Sequence, residues 1–243
     1  NARFNSPADV SWHSGNDAVY VADFGNHRIR KVVAGVVSTV AGAVGKGFAD
    51  GPPALARFNS PRGVATALDG TIVVADQGNH RVRRIDSAGV STLAGDGKAG
   101  FVDGPAASAR FQLPTAVATA PSGRVWVADG HNNRLRRVGL DGVVITVAGD
   151  GSKGYADGAA AKASLNAPGG LAVDGAGRVW FADTGNHRIR LLTEQGLVVS
   201  LAGTGLGAFA DGAGAEAAFD SPVGVALSAD GKLLIADFGN HRI

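Results

Sequence analysis

The residue types best suited to chemistry in this chain occur together. His27, His80, His187 and His241 each follow an asparagine and precede an arginine, and an aspartate lies four residues before each one (Asp23, Asp76, Asp183, Asp237). A fifth copy, Asp129 to Arg134, reads Asp-Gly-His-Asn-Asn-Arg and shifts its histidine to His131. Aspartate beside histidine can serve acid–base chemistry, and several imidazoles together can hold a metal. The spacing argues against both. The five copies start at 22, 75, 128, 182 and 236. If each sits on its own sheet, the histidines are separated by about 10 Å, whereas zinc needs all its ligand nitrogens within about 2 Å. In each copy an arginine also competes for the aspartate.

The expected role is therefore structural. Asp23/Arg28, Asp76/Arg81, Asp129/Arg134, Asp183/Arg188 and Asp237/Arg242 flank four-residue turns and face each other across a hairpin, where opposite charges contribute up to about 1 kcal/mol. Gly25, Gly78, Gly185 and Gly239 are expected to supply a positive φ in that turn, with His131 taking the place of glycine in the third copy.

The elements behind these turns follow from the repeat. "ARFNSP" at 2–7 returns as "ARFNSP" (56), "ARFQLP" (109), "ASLNAP" (163) and "AAFDSP" (217), and "STVAGAVGKGFADG" (38–51) returns at 91, 145 and 199. Repeats of approximately 2–55, 56–108, 109–162, 163–216 and a partial 217–243 thus form one region spanning 1–243. Each holds four short strand-like runs, in the second repeat 63–67, 71–76, 80–86 and 90–95, joined by tight turns rich in Gly, Asp and Asn. Four antiparallel strands per unit, without helical periodicity, describe an all-β propeller: four complete blades and part of a fifth. In the first runs Ser11, Ala65, Ala118, Ala172 and Ala226 keep one face small, as crowding near an axis requires. The second runs, such as "IVVAD" and "VWVAD", are apolar on both faces, as strands sandwiched between blades must be.

Composition agrees. Hydrophobic residues make up 45% of the chain and charged residues 18%, with net charge +2, which suits a packed core and is weak support for a nucleic-acid partner. There is no cysteine for disulfides or thiolate metal sites, and the longest apolar run is too short to span a bilayer. No signal peptide is visible. Asn1 is not an initiator, and the chain, without any methionine, reads as a piece of a longer polypeptide.

"ARFNSPRGVA…IVVADQGNHRVRRI" resembles the NHL repeat over essentially the whole chain. The resemblance implies a β-propeller, most often six-bladed, so the remaining blades are expected from the same longer chain or from another copy. It also implies a scaffold that binds partners. The Gly- and Ala-rich blade style is similar to bacterial multi-repeat members that are often exported, so an extracellular or periplasmic location follows from resemblance alone.

"GDGKAG" (95–100) and "GDGSKG" (149–154) match a dinucleotide-binding pattern, yet a turn follows each where a helix N-terminus is required. They read as inter-blade connections. Connections of this length, such as Gly95 to Pro114, suit function or separate packing, and Phe4, Phe58, Phe111, Leu165 and Phe219 are expected to tuck inward from them. They share one end of the propeller with the Gly-Asn-His turns, which makes that end the expected binding face. Asp9 and Arg62 are the only charges at the opening of the first strands. With Thr115 and the turn residues His27, His80, His131 and His187 they are the candidate binding residues. No catalytic set, metal or cofactor is expected. The leading expectation is non-enzymatic binding of a protein or small ligand. A six-bladed hydrolase or lactonase with metal ligands on other blades is the alternative, and single-stranded RNA binding the second. Sparse aromatics and arginines placed on outer strands argue against nucleic acid.

Overall fold

The computed structural model describes residues 2–243 and is all-β. Successive antiparallel sheets stand side by side, and the first strand of each packs against the first strand of the next. In the second blade the strands are Pro61–Thr66, Ile72–Asp76, Arg81–Asp86 and Gly89–Ala94, in that order from the axis outward. The fifth blade contributes Pro222–Leu227 and Leu233–Asp237. This is the propeller arrangement that the repeat implies.

The middle strand explains why blades stack. Alternate residues point to opposite faces. In Ile72–Asp76, Ile72 and Val74 join Tyr20, Ile29 and Phe58 toward the first blade, while Val73 and Ala75 join Phe111, Val117 and Val127 toward the third. Burial of each large aliphatic side chain is worth about 1.5–3 kcal/mol. Phe58, Phe111 and Leu165 are fully buried at these seams. Phe4, on the uncovered face of the first blade, remains 38% exposed, and Val10 and Trp12 of its first strand are also open to solvent.

Near the axis the small face is a steric necessity. A Cβ on Gly63 would lie 2.7 Å from Ala116 Cα, and one on Gly170 would lie 2.8 Å from Gly224 Cα.

Four strands per blade is an undercount for the third and fourth. The connection leaving one blade adds a short outermost strand to the next: Gly104–Pro105 pairs with Val143–Ala148, and Gly158–Ala159 with Leu197–Ala202. Gly51 bridges to Val90 in the same way. The connections are thus parts of the sheets, and the motif at 95–100 and 149–154 lies in loops with no α-helix behind it.

Candidate functional site

The turns that carry the repeated histidines form one end of the propeller. Each is a single 3-10 turn, for example Gln77–Asn79, closed by a residue in the left-handed region. That residue is the histidine: His27, His80, His187 and His241 have φ between 53 and 57°. The expectation for glycine is corrected here, since Gly25, Gly78, Gly185 and Gly239 do not have positive φ. They are small because a Cβ at Gly78 would fall 2.6 Å from the Asn59 side chain. His131 likewise lies outside the left-handed region, exposed, and Asn133 takes the left-handed position in its blade.

The histidines staple blade to blade. Nδ1 of His27 accepts the N–H of Ser60 at 3.0 Å, that of His80 the N–H of Leu113 at 3.1 Å, and that of His187 the N–H of Ser221 at 3.0 Å. In the third blade Asn133 Oδ1 accepts from Ala167 N at 3.0 Å. Asparagine replaces histidine there because both tolerate the left-handed region and both present an acceptor at that point. An accepting Nδ1 carries no proton. Burial lowers the pKa of His27 and of His80, and the nearby Lys46 and Arg81 charges lower each further.

The hairpin ion pairs need a second correction. Asp76 and Arg81 do face each other in register, as do Asp23/Arg28, Asp129/Arg134 and Asp183/Arg188. The carboxylates, however, bind the arginine two residues further on: Asp23–Arg30 at 3.2 Å, Asp76–Arg83 and Asp129–Arg136 at 2.8 Å, and Asp183–Arg190 at 2.7 Å. This is the diagonal cross-strand neighbour, which a long arginine reaches. Arg81, Arg134 and Arg188 instead stack on Phe48, Phe101 and Tyr155.

Arg83 has no exposed surface and all five of its N–H groups have acceptors. Nε donates to Asp50 at 3.1 Å and Nη2 to Asp50 at 2.5 Å. Nη1 donates to Asp76 and to the Arg57 carbonyl, and Nη2 also to the Ala49 carbonyl. Arg136 with Asp103 and Arg190 with Asp157 repeat the arrangement. Asp50, Asp103 and Asp157, which read from sequence as Asp-Gly turn residues, are therefore clamps on the next blade. Their signal was present as an aromatic–x–Asp–Gly phrase recurring 33 residues before each of these arginines. Burial raises the pKa of Asp76, Asp129 and Asp183, against donors that favour the carboxylate, so these charges specify geometry more than they add stability.

With the repeated polar groups so committed, the axial opening remains. A cavity of about 750 Å³ is lined there by Asp9, Arg62, Thr115, Phe24, Phe238 and small residues of the first strands. Asp9 accepts the N–H groups of Val10 and Val64, both at 2.9 Å. Its carboxyl lies deep among neighbouring atoms yet keeps some solvent contact. Burial raises its pKa to about 7 despite those two amides and the Arg62 charge. Arg62 makes no hydrogen bond or ion pair among the described residues. Thr115 is less available, because its hydroxyl donates to the Pro168 carbonyl at 2.7 Å. Asp9 and Arg62 are brought together; the histidines stand apart, one per blade. Among the described residues no three His, Asp or Glu side chains converge as metal ligands.

The pattern of the NHL repeat matches residues 4–32, 58–85, 111–137, 165–190 and 219–243. The chain belongs to the NHL-repeat family. This NHL-repeat chain is 32% identical over 205 residues to Protein SUPPRESSOR OF QUENCHING 1, chloroplastic, of Arabidopsis thaliana, covering 77% of the chain and 19% of that protein. It is 30% identical over 275 residues to NHL repeat-containing protein 2 of Homo sapiens, covering 98% of the chain and 38% of that protein. The chain thus spans well under half the length of these relatives. Among solved structures it is similar to an auxiliary nutrient binding protein from Bacteroides thetaiotaomicron VPI-5482, with a TM-score of 0.76, 19% identity, and coverage of 100% of this chain and 59% of that one. That likeness is one of fold.

Proposed function

We propose that this chain is a non-enzymatic NHL propeller scaffold that binds a protein or other ligand through its loop-bearing face. The observation that carries the reading is the contrast at the axis. The repeated Asp, His, Asn and Arg side chains hold blades together, whereas the unrepeated Arg62 lines a largely apolar cavity beside Asp9 with no hydrogen bond or ion pair among the described residues. Arg83, Arg136 and Arg190 are wholly buried, which removes three of the arginines that an RNA reading would need. Below about pH 7 Asp9 is protonated and the opening carries the Arg62 charge alone, so it favours an apolar group ending in an anion.

Calorimetric titration with benzoate and benzamidine at pH 6 and pH 8 tests this. Benzoate is expected to bind better than benzamidine at pH 6, to weaken at pH 8, and to lose about tenfold or more with Arg62→Ala, since an ionic hydrogen bond is worth roughly 1.5–3 kcal/mol. Benzoate binding that Arg62→Ala leaves unchanged would remove the axial site. Metal-dependent hydrolysis of a δ-lactone by the full-length protein would favour the hydrolase alternative instead.

A further inference from the structure

The first blade lacks a piece that the second, third and fourth possess. Arg30 holds the place of Arg83, Arg136 and Arg190 and is 9% exposed, yet among the described residues its one acceptor is Asp23. Its buried Nε has no hydrogen-bond partner among the described residues, and neither has the buried Nε of Arg28. In the other blades the residue equivalent to Arg28 stacks 3.8–4.2 Å from an aromatic ring centre: Arg81 on Phe48, Arg134 on Phe101, Arg188 on Tyr155. Thr39 lies opposite Arg30, where Thr92, Thr146 and Ser200 donate their backbone N–H groups to Asp50, Asp103 and Asp157. Separate groups on one surface therefore lack parts of one segment: Arg28 the ring that covers its equivalents, and Arg30, which keeps only the Phe4 ring at 5.7 Å, and Thr39 the carboxylate two residues later.

We propose that the Arg28–Arg30–Thr39 face of the first blade is a docking site for an aromatic–x–Asp–Gly segment from a further repeat of the same polypeptide. Its carboxylate takes Nε and Nη2 of Arg30 and the N–H of Thr39, and its ring covers Arg28. A buried cation with open donors calls for an anion that is itself shaped to the site, because leaving such donors dry is costly. The spacing of 33 residues between clamp and arginine, 34 when counted through the longer first hairpin of the first blade, places the partner of Arg30 ahead of Asn1 in sequence. A second copy fits worse. Its own segment at Phe209–Gly212 leads directly into its fifth blade, which would compete with the first blade for the same space.

The sequence offers a clean test, because residues 2–7 and 56–61 are the same "ARFNSP". Fusing a duplicate of residues 42–55 ahead of Ala2 presents the "GFADG" connection through the native junction. The thermal midpoint is expected to rise by about 3 °C or more, as an added interaction of roughly 1 kcal/mol implies at this chain length. The rise should vanish when the duplicated Asp50 is changed to Asn, and in the Arg30→Gln background, where each extended protein is compared with its own unextended parent. An unchanged midpoint, or an equal rise with the Asn duplicate, overturns the proposal. So would a dimer of the unextended chain that Arg30→Gln dissociates, since that assigns the site to a second copy.

Discussion

Replacing Asp103 by Asn isolates the clamp between the second connection and the third blade. Asp103 Oδ1 accepts Nε and Nη2 of Arg136 at 2.9 and 2.6 Å, and Oδ2 accepts Thr146 N–H at 3.0 Å. Asparagine keeps the shape but one acceptor oxygen, so it can satisfy Arg136 or Thr146 and must turn an amide donor toward the other. Arg136 is fully buried, and a hydrogen bond to a charged group is worth about 1.5–3 kcal/mol. The Asp103 side chain is 38% exposed, so water replaces part of the loss. The expected destabilisation is therefore about 2–4 kcal/mol, starting below the range of about 3–5 for opening a wholly buried pair. At this chain length it lowers the thermal midpoint by roughly 5–12 °C. Fluorescence of Trp126, buried in the same blade, reports the transition. The control is Asp86→Asn, whose partner Arg84 is 47% exposed and whose loss should cost about 0.2–1 kcal/mol. Equal effects of the two substitutions would refute the reasoning, because burial of the arginine would then carry no weight.

The staples make stability depend on pH. His27 and His80 have lowered folded pKa values, so their contribution is whole above the unfolded value of 6.5 and is lost as pH falls through the folded values. The raised pKa of Asp9 and of the buried Asp76, Asp129 and Asp183 acts in the opposite sense, so the decline from pH 8 to 5 is read in the difference between the protein and a His80 variant, which cancels them. His80→Asn should cost under about 1 kcal/mol and flatten part of that decline, following Asn133, whereas His80→Ala, which leaves Leu113 N–H without its acceptor, should cost about 1–3 kcal/mol by chemical denaturation. Equal stability of the two variants would dismiss the staple. Gly63→Ala forces a Cβ against Ala116 backbone and should cost about 1–3 kcal/mol, while Gly175→Ala, with open space around it, should stay within about 0.5 kcal/mol.

The amino-acid sequence by itself determined the repeat, the strands, the small axial face and the doubly apolar middle strands. These are local and periodic properties: alternation sets which face a side chain takes, and a period of 53 or 54 residues sets the unit. It also showed where copies disagree, which is how Asp9 and Arg62 stood out. Only the tertiary structure decided what the recurrent polar residues touch. Asp76 prefers Arg83 over the facing Arg81 because a diagonal reach beats direct opposition once Arg81 is stacked on Phe48. His80 closes the turn and binds the next blade because its backbone is left-handed, a conformation that spacing alone assigned to glycine. Asp50 and Arg83 are far apart in sequence, and their union depends on a connection folding back onto the next sheet. Short-range pattern fixes what each residue can be; which distant group it meets is set by how the sheets pack.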